Sequence, residues 1–163
     1  MNDKINKQDK PKRGQTPHAI INRKARFEYY ILETFEAGLM LVGSEVKSLR
    51  RGEASIAESF IRIKGEEAWL QDAFIAPYEQ SGKFNHEPKR LRKVLLHKRE
   101  INRLMGKVKE KGLTVIPTKL YFNKRGLAKI EIALAKGKTM YDKRDQIRKR
   151  DQDRQVARDL RKY

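Results

Sequence analysis

The chain contains no cysteine. That single absence removes disulfides, thiolate zinc sites, iron–sulfur clusters and cysteine nucleophiles at once, and fits a reducing cytosol. Long apolar runs are missing as well. The longest are a few residues, too short for a spanning helix, and Met1 is followed by polar residues instead of a signal-peptide apolar core. With no lipidation signal and no helix carrying a broad apolar face, a cytoplasmic protein without a membrane partner is expected.

Catalytic signatures are equally scarce. Gly137-Lys138-Thr139 ends like a phosphate-binding loop, but that loop needs another glycine five residues before its second one, and Ile132 stands there. The three histidines, His18, His86 and His97, form no H-x-x-x-H pair and have no carboxylate at metal-ligand spacing. The fourteen acidic residues between Phe27 and Lys136 are scattered along the chain, as solvated surface groups are and a nuclease's metal-binding cluster is not. Neither a G-x-S-x-G elbow nor a dinucleotide fingerprint occurs. No metal, no cofactor and no catalytic group is expected.

What the chain has in excess is positive charge. Among 163 residues, Lys and Arg number 39 against 21 Asp and Glu, a formal net charge of +18. Such a surplus repels itself unless a polyanion is the partner, and nucleic acid is the first candidate. The 38% apolar content suffices for one core. Residues 1–21 carry Lys4, Lys7, Lys10, Lys12 and Arg13 among few apolar residues, with Pro11, Gly14 and Pro17, and are expected to form a flexible basic arm.

The folded unit is expected over 22–136. Phe27 to Val42, rich in aromatic and β-branched residues and broken at Ala37-Gly38, predicts two strands or one bent strand. Ser44 is placed as an N-cap, with Gly52 as the stop of a short helix, and Ser55 with Glu58 has capping-box spacing for another turn. Phe60–Ile63 and Ala68–Gln71 flank a turn and predict a hairpin, followed by a mobile surface loop from Ala76 to Arg92. Ile101, Leu104, Met105 and Val108 fall at helical spacing, beside a row of Arg99, Arg103 and Lys107, with Gly112 as terminator. Thr114–Phe122 and Leu127–Ala135 predict a second hairpin in which Pro117 marks an edge or a bulge. The fold class is mainly β with flanking helices: an OB-like antiparallel β-barrel of about six strands with two or three short helices.

Gly137 to Tyr163 forms a basic tail with 4 Lys, 6 Arg and 5 Asp. At 100° per residue, Lys143, Arg150, Arg154, Arg158 and Arg161 share an arc of roughly 80°, with Val156, Leu160 and Tyr163 opposite. A solvated charged helix explains this equally well, but the arginine stripe has the spacing to follow phosphates.

Four blocks in order carry a resemblance. NRKARFEYYILETFEAGL (Asn22 to Leu39), EVKSLR (Glu45 to Arg50), RKVLLHKREI (Arg92 to Ile101) and AKGKTMYDKR (Ala135 to Arg144) together resemble the SsrA-binding protein family, small protein B. The resemblance implies an OB-like barrel that binds the tRNA-like domain of transfer-messenger RNA (tmRNA). It implies delivery of that RNA, with elongation factor Tu, to ribosomes stalled without a usable codon. There the protein stands in for a missing anticodon arm, and the nascent peptide is tagged for degradation. The tail, disordered when free and helical on the ribosome, enters the empty mRNA channel of the small subunit, and the chain is expected to be a monomer in solution.

By motif the resemblance assigns RNA binding to Glu36, Leu95 and His97. Leu95 in an apolar run also suits packing, His97 suits capping of the following helix, and Glu36 suits either accepting hydrogen bonds from bases or sugars or orienting a basic neighbour. Asn22, Arg23, Lys24 and Arg26, placed at the edge of the first strand, and Lys47 and Arg50 are candidate backbone contacts, with solvated surface as the equal alternative. In the tail, Tyr141 is expected to stack on a base of the decoding centre, ahead of Asp142, Lys143 and Arg144. A generic OB-type single-stranded RNA binder or ribosome-associated protein and an RNA-processing enzyme are the competing readings.

Overall fold

Alternation of apolar and polar residues gives the chain its strands, and a computed structural model shows how they close on one another; it describes residues 19–110 and 112–160. Of the 1–21 arm only residues 19–21 are described, and they depart from the expectation. Ile20–Ile21 is a short strand, β1, paired antiparallel with Leu120 and Lys119. The arm therefore gives way to the fold two residues early, where the β-branched pair Ile20–Ile21 joins the ladder of a neighbouring strand.

Arg23–Glu28 is a helix, α1, not a strand edge. Asn22 starts it: its side-chain oxygen accepts the Ala25 N–H at 3.1 Å, as a capping residue should. β2, Tyr29–Leu39, is a single strand running straight through Ala37-Gly38, with its irregularity instead between Ile31 and Glu33. Gly38 marks close approach and not a break. A Cβ there would lie 3.3 Å from the Cβ of Leu95 on the neighbouring strand.

α2, Gly43–Arg50, ends before Gly52, whose φ of +76° suits glycine. Ser44 is inside the helix and not its cap; the carboxylate of Glu45 accepts the Val42 N–H at 2.9 Å instead. Ser55 lies in a two-residue strand, β3 (Ala54–Ser55), paired with β6 (Phe74–Ile75), so the expected helical turn is absent among the described residues there. β4 (Phe60–Lys64) and β5 (Glu67–Gln71) form the expected hairpin, and β7 (Arg92–Leu95) joins β5 to β2. α3, Lys98–Val108, buries Ile101 and Leu104. β8 (Leu113–Phe122) and β9 (Ala128–Gly137) make the second hairpin, whose register shifts between Pro117 and Lys119, at the bulge the proline implied.

The sheet order is β1-β8-β9-β2-β7-β5-β4. Its far member, β4, curls back beside β8 without a ladder between them, giving a partly closed, OB-like antiparallel barrel. Six of the nine described strands are longer than two residues, in line with the expected number. The interior holds Leu49, Ile56, Leu70, Ile75, Leu104, Ile130 and Ile132, all at most 2% exposed.

The loop expected to be mobile is in fact pinned. Glu45, fully buried, accepts from Arg92 Nε at 2.7 Å and from Arg90 Nε and Nη2 at 2.7 and 2.6 Å. Arg92 also donates to the carbonyls of Ala73 and Pro88 at 2.7 and 2.9 Å. Glu45 is thus no solvated surface acid, contrary to the reading of the scattered carboxylates. Burial alone would raise its carboxyl, but hydrogen bonds from Arg90, the Val42 N–H and Arg92 outweigh that and hold it below its ordinary value.

Candidate RNA interface

Antiparallel partners put their side chains on one face of the sheet, so the ladder registers assemble the outer surface row by row. One row runs Leu95, Gly38, Lys129, Tyr121 across β7, β2, β9 and β8. The next runs Glu36, Glu131, Lys119. Two residues back along β7 from Leu95, Lys93 is opposite Trp69, and Trp69 is itself opposite Arg62. The result is one face carrying aromatic rings, cations and an apolar knob, Leu95, which is 49% exposed.

Glu36 and Leu95 are therefore brought together, though they lie far apart in the chain. The exposure of Leu95 decides between its two readings: it is a surface knob over Gly38 and not a core residue. Glu36 orients neighbours. It accepts a hydrogen bond from the Tyr121 hydroxyl, and Lys129 Nζ lies 3.5 Å from its other oxygen. The Tyr121 bond, with help from Lys129, holds the Glu36 carboxyl below its ordinary range. The same bond, with burial and the Glu36 charge, pushes the Tyr121 hydroxyl up to about 12, so Tyr121 is a donor at any physiological pH. Lys119 Nζ sits 4.9 Å from the Tyr121 ring centroid and Lys93 Nζ 5.9 Å from that of Trp69.

His97 follows this face at the N-cap position of α3. Its backbone N–H donates to Glu100 at 2.9 Å, while its imidazole makes no capping bond and is exposed.

Other expected contacts divide. Asn22 is 5% exposed and its amide donates to the carbonyls of Ile56 and Pro117 at 3.1 and 3.0 Å, so it is a structural tie and not a surface contact. Arg23, Lys24 and Arg26 are exposed on α1, with Lys24 paired to Glu58. They sit by the start of the tail and not on the Glu36 face: Tyr29, just after α1, pairs with Gly137. On α2, Lys47 lies 5.0 Å from the Tyr78 ring centroid, with Arg51 at 4.9 Å, and Arg50 lies 5.6 Å from that of Phe122.

The tail leaves as one helix, α4, Met140–Leu160, with no buried residue. Its first turn is latched to the barrel. Thr139 N–H and hydroxyl donate to Asp142 at 3.0 and 2.8 Å, and the Asp142 N–H returns a bond to the Thr139 hydroxyl at 3.3 Å. Those Thr139 bonds, with Tyr30 and Lys138 adding, keep the Asp142 carboxyl below its ordinary range. Lys138 Nζ donates to the Arg26 carbonyl at 2.8 Å and lies 4.8 Å from the Tyr30 ring centroid. Tyr141, 74% exposed, points away from this latch, and Arg144, Arg154 and Arg158 are exposed. The stripe is not uniform, however. Arg150 lies 6.0 Å from the Phe27 ring centroid and Lys143 is half-buried, so its first half is turned toward α1. Arg161 lies outside the described residues.

Sequence reasoning passed over Tyr121, Lys129, Lys119, Trp69 and Lys93. The alternation of Lys129 and Glu131 in β9 was visible; which strand would lie opposite was not.

The family model described as SmpB protein matches residues 19–162. An SsrA-binding protein of Desulforudis audaxviator is 61% identical over 137 residues, covering 84% of this chain and 89% of that relative. One from Moorella thermoacetica is 59% identical over 140 residues, covering 86% and 90%. A chain in the solved structure described as "tmRNA-SmpB: a journey to the center of the bacterial ribosome" shares 52% identity with a TM-score of 0.65, over 75% of this chain and 85% of that one. Matched over nearly all of its folded unit and its tail, this chain belongs to the SsrA-binding protein (SmpB) family.

Proposed function

We propose that this chain binds the tRNA-like domain of tmRNA and delivers it to stalled ribosomes, so that the nascent peptide is tagged and the ribosome released. The observation that carries this is the likeness, at 52% identity, to a chain solved in a tmRNA and ribosome setting. The outer sheet face supplies the chemistry. Glu36 and Tyr121 offer an acceptor and a donor fixed against each other, Leu95 and the exposed His97 border them, and Lys119, Lys129 and Lys93 supply backbone contacts. Folded RNA, with its unstacked loop bases and 2′-hydroxyls, suits such a mixed face better than a uniform single strand does.

The tail acts on the ribosome in this reading. Asp142 latches α4 to the barrel, Tyr141 stacks on a decoding-centre base, and Lys143, Arg144, Arg154, Arg158 and Arg161 contact ribosomal RNA. In the structure the tail is helical as far as Leu160, but beyond its capped first turn the exposed helix is supported only by i,i+4 pairs worth about 0.2–0.5 kcal/mol each, so it is marginal in the free chain and is held helical by the channel. Elongation factor Tu joins the aminoacylated tmRNA complex, the protein is a cytoplasmic monomer, and it performs no catalysis. No helix among the described residues is long and apolar enough to cross a membrane.

The test is a competition between a tRNA-like RNA and an unstructured RNA of equal length, followed by reconstituted tagging of a stalled nascent chain. Preference for the folded RNA together with tagging is expected. Equal affinity for both would favour the generic single-strand binder, and divalent-metal-dependent RNA cleavage would reveal an enzyme.

A further inference from the structure

One depression lies outside the Glu36 face and the tail. Val42, Ser44, Phe84, Asn85, His86 and Arg90 line it, where the loop before β7 folds over the start of α2. Its wall is the ring of Phe84, 95% exposed. A lone exposed phenylalanine is ordinary; this one stands on a rigid base. Asn85 closes the loop by accepting from the Tyr78 N–H at 3.0 Å and donating to the Tyr78 carbonyl at 2.8 Å. Arg90 is fixed by its paired bonds to Glu45. Gly82, with φ +52° and ψ −131°, allows the reversal that presents Phe84.

The floor is polar and ordered. His86 is 9% exposed, with Nε2 3.1 Å from the Ile75 carbonyl and Nδ1 2.9 Å from Ser44 Oγ. A carbonyl only accepts, so Nε2 carries a proton; in the neutral ring Nδ1 then accepts from the Ser44 hydroxyl, whose oxygen keeps acceptor capacity of its own. Arg90 stands at the rim, and Lys83 and Lys89 are exposed on the same loop.

We infer that this depression is a site for one unpaired nucleotide of the tRNA-like RNA, its base stacked on Phe84, its edge hydrogen-bonded at Ser44, and its phosphate near Arg90 and the loop lysines. An open aromatic ring beside fixed polar groups and cations is what extruded bases are held by. Placement selects the source. β2 carries the tail junction at Tyr29 and runs toward this depression at Leu39, ten residues or about 33 Å away. Glu36 and Gly38 lie near the depression's end of that strand, so an RNA on the Glu36 face reaches the depression while the tail points elsewhere. The inference rests on the tmRNA reading above and adds a second contact to it.

The experiment uses the full chain and a tRNA-like RNA. Wild type, Phe84→Ala and Phe84→Trp are titrated at fixed salt, and 2′-hydroxyl reactivity is mapped on each saturated complex. Phe84→Ala should weaken binding about 5- to 150-fold, as loss of one stacked base does, and expose one unpaired nucleotide that wild type protects, while Trp restores both. Ser44→Ala should keep that protection but lose selectivity when the base at that nucleotide is changed. Wild-type affinity and protections in Phe84→Ala would overturn the site, as would a defect confined to ribosome binding. A wild-type chain without preference for the folded RNA overturns the tmRNA reading and this site together, and that result is read before any variant.

Discussion

Glu45 and Glu36 are both acidic residues in a chain of +18, and their surroundings give them opposite work. Glu45 is sealed between Arg90 and Arg92, and removing one partner of such a buried cluster leaves the others unpaired in the interior. Glu45→Ala should therefore destabilise the fold by about 3–5 kcal/mol in urea unfolding, far more than surface changes do. Its folded value lies below the ordinary 4.5, so the stability it contributes is present above about pH 4.5 and fades as pH falls through the folded value. Acid unfolding followed at several urea concentrations should show that dependence in wild type and a shallower one in Glu45→Gln. Glu36 is at the surface and tied to Tyr121. In Glu36→Gln the phenol should titrate well below its present value of about 12 in an ultraviolet pH titration, and preference for tRNA-like over unstructured RNA should fall. An unchanged titration would break the link between the two residues, and an unchanged preference would remove Glu36 from the interface.

At the scale of elements, α4 depends on its first turn. Thr139 and Asp142 cap one another, and everything after Arg150 projects without buried contacts. Asp142→Ala should lower the helical circular-dichroism signal and slow peptide tagging while leaving tRNA-like RNA affinity intact, and Asp142→Asn should recover part of both. Equal losses of tagging and RNA affinity would move Asp142 from the latch to the RNA. Because Arg150 faces Phe27, reversing Arg154 and Arg158 to glutamate should impair tagging more than reversing Arg150 does. Tyr141→Phe should be tolerated and Tyr141→Ala should not, if its exposed ring works by stacking.

Taken whole, the molecule has two ends joined by a sheet face. The tail leaves beside α1, and the Glu36 face lies toward the other end of β2. Truncation after Lys136 should accordingly keep affinity for the tRNA-like RNA and abolish tagging, measured by filter binding and by reconstituted translation. Binding should also weaken with salt, each neutralised phosphate contributing a slope of roughly 0.7 to 0.9 in log affinity against log salt. Replacing Lys129 with Gln should shrink that slope by about one unit, whereas Lys24→Gln, remote from the face and paired with Glu58, should leave it unchanged.

Composition and local pattern were enough for a basic chain with a nucleic-acid partner, for two hairpins, for the amphipathic helix α3 and for an edge or bulge at Pro117, because each is written in neighbouring residues. The ordered blocks were enough for the family. Tertiary structure alone decided what each polar residue does. Asn22 became a buried tie, Ser44 lost its capping role to Glu45 and turned to His86, and the loop from Ala76 to Arg92 became pinned by a buried carboxylate. The Asn22–Ile56, Ser44–His86 and Arg92–Glu45 bonds each join residues dozens of positions apart, as does the pairing of Glu36 with Tyr121 across an intervening strand. Periodicity reports which face of an element turns inward, but strand order and register choose the neighbours, and those are settled by contacts between distant segments.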